Sequence, residues 1–106
     1  MFELSVKHSD EQSNIIVLTG EIDIYSAPDF KEQLYRIIGE GRQSVILECE
    51  ELSYIDSMGL GILVGALKRL KEQERDIVVR NPKSNIRKLL RITGLDKVFI
   101  IEEAKS

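Results

Sequence analysis

The sequence predicts an α/β domain: a mixed, mostly parallel sheet of about five strands, with helices packed against it and an antiparallel hairpin at the N-terminus. Three observations carry this. From Ser44 onward the chain alternates strand, helix, strand, helix, strand, an order that right-handed crossovers turn into parallel pairing. Ahead of it, Met1 to Lys7 alternates apolar and polar residues and a β-branched run soon follows, as a hairpin would. The 106 residues, 42% hydrophobic and 31% charged, suit one domain over 1–106. A chain of this size buries roughly two-thirds of its unfolded surface.

The elements follow in order. Phe2, Leu4 and Val6 share one face of the first strand. His8 to Asn14 is polar and turn-like, and Ile15 to Leu18 reads as the second strand. Ser26-Ala-Pro-Asp29 looks like a helix start, with Ser26 as cap, Pro28 in the first turn and Asp29 three residues on. Ala27, Phe30, Leu34, Ile37 and Ile38 then repeat at helical spacing, and Gly39 and Gly41 stop the helix. Ser44 to Leu47 is continuous enough to suggest burial on both faces in mid-sheet. Asp56-Ser57 precedes a second helix with Leu60, Leu63, Val64, Leu67 and Leu70 inward and a charged end from Lys68 to Glu74. Asp76 to Val79 is a strand. Ser84 caps a third helix through Ile92, with Ile86, Leu89 and Leu90 inward. Gly94 takes the left-handed position after it and Leu95 the apolar contact beyond. Val98 to Ile101 closes the sheet, and Glu102 to Ser106 is expected to be disordered.

Composition excludes several classes of function. One cysteine, Cys49, forbids an internal disulfide and suits a reducing compartment. No apolar run is long enough to span a membrane, and Met1 to Asp10 lacks a signal-peptide pattern. A soluble cytoplasmic protein without membrane contact is expected. Met1 to Asp56 holds twelve acids and four bases, net -8; Ser57 to Ser106 holds six acids and eleven bases, net +5. The acidic half argues against direct nucleic-acid binding. The first strand, as a sheet edge, would permit weak self-association, so a monomer or weak dimer is expected.

Enzyme chemistry finds little support. The only histidine, His8, lies in a polar turn far along the chain from any nucleophile, and no Gly-x-Ser-x-Gly elbow surrounds Ser57. One Cys and one His cannot make the usual zinc site. Gly59-x-Gly61 lacks the third glycine of a dinucleotide loop. Gly59, Gly61 and Gly65 are better explained as small residues that let a helix approach the sheet. No cofactor is implied. What remains distinctive is Tyr54-Ile-Asp-Ser-Met-Gly-Leu-Gly61, where a strand ends, an acid and a serine follow, and a helix begins. Ser57 sits where an N-cap belongs, and simple capping is the bland account of it.

Gly20-Glu-Ile-Asp-Ile-Tyr-Ser-Ala-Pro28, Leu52-Ser-Tyr-Ile-Asp-Ser-Met-Gly-Leu-Gly61 and Ile92-Thr-Gly-Leu95 together resemble the STAS domain family, closest to its bacterial anti-sigma factor antagonists. The resemblance covers essentially the whole chain. It implies a STAS-like fold and a partner-switching role without catalysis. The unphosphorylated antagonist would bind an anti-sigma factor that is also a serine kinase, freeing the sigma factor. Phosphorylation would release it, and a serine phosphatase would reset the cycle. The implied phosphoacceptor is Ser57. Glu21, Asp23 and Asp56 would flank it, and Met58 stands where many relatives carry a second Ser or Thr. The alternative is a STAS-type sensory or scaffold domain that binds a small molecule or nucleotide near Asp23 and Ser57.

Physical chemistry fits a switch at this position. A helix N-terminus offers free N–H groups and partial positive charge, so a phosphate there would be held rather than unfold the domain. The added charge, about -1.5 to -2, would instead act at the surface. A binding penalty of roughly 3 kcal/mol would weaken a partner more than 100-fold. Met58, Ile62 and Ala66 share a stripe rotated from the main apolar face. If exposed, with Gly59 beside them, they would form a partner-binding patch next to Ser57.

Overall fold

The computed structural model describes residues 1–103. Its elements are β1 (Phe2–Ser9), β2 (Ser13–Ile22), α1 (Ala27–Ile38), β3 (Ser44–Ile55), α2 (Ser57–Lys71), β4 (Ile77–Arg80), α3 (Ser84–Thr93), a 3-10 turn (Leu95–Lys97) and β5 (Ile100–Glu102). The strands lie in the sheet in chain order, β1-β2-β3-β4-β5. β1 and β2 are antiparallel, and every later pair is parallel. The hairpin and the mostly parallel five-stranded sheet are those the sequence predicted.

Strand order decides where the helices go. Each crossover steps to the adjacent strand in the same direction, and each is right-handed, so α1, α2 and α3 all fall on one face. That face holds the core: Ile16, Leu18, Val45, Leu47, Ile77 and Val79 from the strands meet Phe30, Leu34, Leu63, Leu67, Leu70, Ile86 and Leu90 from the helices. Phe2 packs edge-on against Phe30, ring centres 5.7 Å apart. The opposite face is uncovered among the described residues. This corrects the expectation that the third strand is buried on both faces. β3 is central, but its first residues alternate half-buried and buried, and Ile46 points away from the core.

Several boundaries move for local reasons. β1 runs on to Ser9, and the turn is made by Asp10, whose Oδ1 accepts from the N–H groups of Gln12 at 2.8 Å and Ser13 at 2.9 Å. β2 and β3 are far longer than their apolar runs because they pair with each other along their length, through two irregularities. β4 and β5 each start one or two residues late. Gly94 does take the left-handed conformation, φ 77°. Glu102 is not disordered. It ends β5 on Arg80, and Glu103 pairs with Arg87; residues 104–106 of the expected disordered tail lie outside the described residues.

Two of the three expected serine caps are reassigned, and the third keeps its position without the expected cap bond. Ser26 occupies the N-cap of α1, but its hydroxyl makes no cap hydrogen bond. The cap of α2 is Asp56, with Ser57 as the first helical residue. The cap position of α3 belongs to Lys83, and Ser84 is already helical.

Candidate functional site

The C-terminal ends of β2 and β3 lie side by side, with Glu21 opposite Tyr54 and Ile22 opposite Ile55. The Asp56 N–H donates to the Ile22 carbonyl at 3.2 Å, which ties the start of α2 to the end of β2. Asp56 then turns the chain. Its backbone is extended, φ -102° and ψ -174°, and its carboxylate accepts from the N–H groups of Met58 at 3.0 Å and Gly59 at 3.1 Å. An aspartate suits this place because its short carboxylate satisfies orphan donors and complements the helix dipole.

Gly59 allows the close approach. A Cβ there would lie 2.6 Å from Ile55 Cγ1 and 3.0 Å from Ile22 Cγ2. The packing account of the glycines therefore holds for Gly59. Gly65 instead makes room for the Tyr35 hydroxyl of α1, and Gly61 faces open space, so it supports no close approach at all.

With Asp56 as cap, Ser57 is left exposed, and its hydroxyl has no hydrogen-bond partner among the described residues. This is the chemically available group of the site. The lone histidine cannot serve it. His8 pairs with Ile15 near the start of β2, roughly 20 Å of strand away from Ile22, and is held by Asp10 at 2.9 Å.

Asp23 organises the neighbouring turn. Its Oδ1 accepts from the N–H groups of Tyr25 and Ser26, each at 3.0 Å, while its own N–H donates to Ser26 Oγ at 2.9 Å. The Ser26 N–H above all, with the Ser26 hydroxyl and the Tyr25 N–H, holds the Asp23 carboxyl below its usual 3.8 against a smaller opposing effect of desolvation. Glu21 is exposed, with its N–H on the Met1 carbonyl at 2.9 Å. Glu21, Asp23, Asp56 and Ser57 thus share one rim of the sheet.

The apolar stripe expected on α2 is not continuous. Met58 is 52% exposed, but Ala66 is fully buried and Ile62 is half-buried against the core. Helix and sheet together cover what a single helical projection left open. The exposed apolar surface comes instead from residues the sequence reasoning passed over: Ile24 (56%), Tyr25 (88%) and Tyr54 (45%). Their only signal was adjacency to Asp23 and Asp56. A concavity of about 300 Å³ beside Asp23 is lined by Met1, Phe2, Tyr25, Ser26 and Asp29 and does not reach Ser57.

Known proteins share this chain's sequence pattern and fold. The profile of the STAS domain matches residues 4–105. An anti-sigma-B factor antagonist of Listeria monocytogenes is 33% identical over 96% of this chain and 90% of its own length. One of Staphylococcus aureus is 33% identical over 79% of this chain and 78% of its own. In fold, the chain resembles the anti-sigma factor antagonist SpoIIAA, solved unphosphorylated (TM-score 0.83, 23% identity, 98% of this chain and 90% of that one). The phosphorylated form of the Bacillus protein gives 0.75, with the same identity, over 98% and 93%.

Proposed function

The chain belongs to the STAS domain family, and on that footing we propose that it is an anti-sigma factor antagonist whose capture by an anti-sigma factor is switched off by phosphorylation of Ser57. The observation that carries the reading is the division of labour between Asp56 and Ser57. Asp56 caps α2, so Ser57 is not needed for structure and its hydroxyl stands free at the surface. Relatives of the same family, 33% identical, are named anti-sigma-B factor antagonists.

The switch works through charge at a crowded rim. A phosphate on Ser57 would not find the N–H groups of Met58 and Gly59 free, because Asp56 already holds them. It would bring about -1.5 to -2 of charge beside a capping carboxylate. The expectation that such a phosphate is cradled by the helix N-terminus therefore weakens, and repulsion becomes the leading effect. A partner fitted to the neutral hydroxyl, and to the exposed Met58, Tyr25, Tyr54 and Ile24 of the same rim, would meet a dianion in place of a small polar group. Aromatic anchors bordered by carboxylates, Glu21 and Asp23 among them, suit a partner surface with an apolar pocket and basic rim.

In this reading the binding partner is an anti-sigma factor with serine kinase activity, and a serine phosphatase restores the hydroxyl. The cell compartment is the cytoplasm; no helix among the described residues is long and apolar enough to cross a membrane. The protein supplies a substrate hydroxyl, and no catalytic group of its own is required. The test is phosphorylation of the purified protein by such a kinase, read by intact mass and site mapping. One phosphate at Ser57, lost in Ser57→Ala, is expected. Modification at another residue, with Ser57 untouched, would overturn the assignment.

A further inference from the structure

The outer edge of the sheet carries a pattern that partner switching does not use. β1 is the first strand in the order and, among the described residues, has a neighbouring strand on one side alone. Its stretch Glu3-Leu4-Ser5-Val6-Lys7 is matched about Ser5. An aliphatic residue stands on each side of the serine, with an acid beyond one and a base beyond the other.

Side-chain direction sorts these residues. Leu4 pairs with Leu18 and Val6 with Ile16, both core residues, so Leu4 and Val6 belong to the helix-covered side. Leu4 is half-buried there, and Val6 is 45% exposed. Glu3 pairs with Thr19 and Ser5 with Val17, on the uncovered side. Lys7 falls at the register irregularity between Val6 and His8, and its long side chain has reach from there. Glu3, Ser5 and Lys7 are all exposed, and neither Glu3 nor Lys7 has an ion-pair partner among the described residues. A concavity of about 320 Å³ lies along the edge, lined by Phe2, Glu3, Leu4, Ser5, Thr19 and Gln33 of α1.

We propose that β1 pairs antiparallel with β1 of a second copy of the chain, about a two-fold axis through Ser5 and perpendicular to the sheet. The two sheets then continue into one, through a self-complementary contact of the kind that closed dimers use. In this register Glu3 of each copy faces Lys7 of the other, Leu4 faces Val6, and Ser5 faces itself. Directly opposed residues of an antiparallel pair share a face. Carboxylate and ammonium therefore meet twice on the uncovered side. The aliphatic pair meets twice on the helix side, where the concavity beside Leu4 receives Val6. Other registers lose this. A slip of one residue sets Leu4 opposite Ser5 and turns the helices of the two copies to opposite faces. A slip of two sets Glu3 or Lys7 against Ser5 and undoes both ion pairs. The charge pattern is what commits the edge to a second copy.

The contact is short. The irregularity at Lys7 ends the regular ladder, and His8 beyond it is held by Asp10 at 2.9 Å. Bulges and charges of this kind limit edge-to-edge association. Exposed ion pairs contribute little each and are screened by salt. The dimer therefore forms toward high concentration and low ionic strength. Ser57 follows β3, two strands in from the edge, about 10 Å away. The contact leaves that hydroxyl free and stands or falls apart from the proposed function.

Sedimentation velocity in low salt, from micromolar to near-millimolar, tests this. The average mass of the native chain is expected to rise toward two chains, and added salt near about 0.5 M should weaken association by about threefold or more. Glu3→Lys and Lys7→Glu each set like charges against one another at both crossings, and should associate about tenfold or more weakly than the native chain. The double variant restores opposite charges at both crossings and should dimerise as the native chain does. An equimolar mixture of the two single variants should dimerise too. Circular dichroism confirms that each variant is folded. A native chain that stays monomeric overturns the proposal and leaves the edge to an extended segment of a different protein. So does association that survives in both single variants, which would place the contact elsewhere. A double variant as weak as the single ones would overturn the register and with it the proposal.

Discussion

The two rims of the sheet are built from the same kinds of residue and end in opposite states. At the N-terminal rim of the parallel strands, polar groups close on one another. Asn14, 3% exposed, donates to Gln43 Oε1 at 3.0 Å. Gln43 Nε2 in turn reaches Ser9 Oγ and the Asp10 carbonyl. At the C-terminal rim, Asp23 and Asp56 turn the chain just as Asp10 does, but the serine beside Asp56 is left unpaired, and Met58, Ile24, Tyr25 and Tyr54 stand exposed on the same rim. The closed rim satisfies its polar groups internally; the open one keeps a hydroxyl and apolar side chains for another molecule. An aspartate cap, rather than a serine cap, makes that difference.

The largest effect should come from breaking the frame under the open rim. Gly59→Val would drive side-chain atoms into Ile55 and Ile22 and is expected to lower stability by about 3 kcal/mol in urea unfolding. A loss below about 0.5 kcal/mol would mean that α2 is not seated as described. Next, Asn14→Ala would open the closed rim, for about 2 kcal/mol, without changing partner affinity. Equal loss of affinity would show that the rims are not separate. Asp56→Ala removes the cap of α2, for about 1 kcal/mol, and should also slow phosphorylation of Ser57; unchanged kinetics would limit Asp56 to structure.

The smallest effect is in acid and compares the turns directly. Hydrogen bonds from His8 above all, then from the Ser13 and Gln12 N–H groups, hold Asp10 at a pKa of about 2. Asp23 also lies below 3.8. Both folded values are depressed, so each contributes stability above pH 3.8 that disappears as pH falls through the folded value. Carboxyl carbon shifts followed by NMR from neutral pH to below 2 should show both aspartates titrating late. A midpoint at or above 3.8 for either would mean that its turn is not formed in solution.

Much of this was legible in the sequence because it depends on periodicity and order. The alternation after Ser44 gave parallel crossovers, and the Leu60–Leu63–Leu67–Leu70 spacing gave the inner face of α2. The groups that cap the helix starts were not legible. Asp56 and Ser57 are neighbours with similar capping preference, and only the extended backbone of Asp56 separates their roles. The run from Ser44 to Leu47 read as doubly buried, because composition does not say that every helix falls on one face. Tyr54 beside Glu21 was hidden as well, since it arises from the register of two strands far apart in sequence.

The most direct test is calorimetric binding of the native chain, Ser57→Ala and Ser57→Asp to an anti-sigma factor kinase with nucleotide present. The account predicts that the native and Ala forms bind alike, because Asp56 and not Ser57 caps α2, while Ser57→Asp binds more than about 100-fold more weakly, a difference of roughly 3 kcal/mol. Equal binding by all three would contradict it and return Ser57 to the status of an ordinary surface residue.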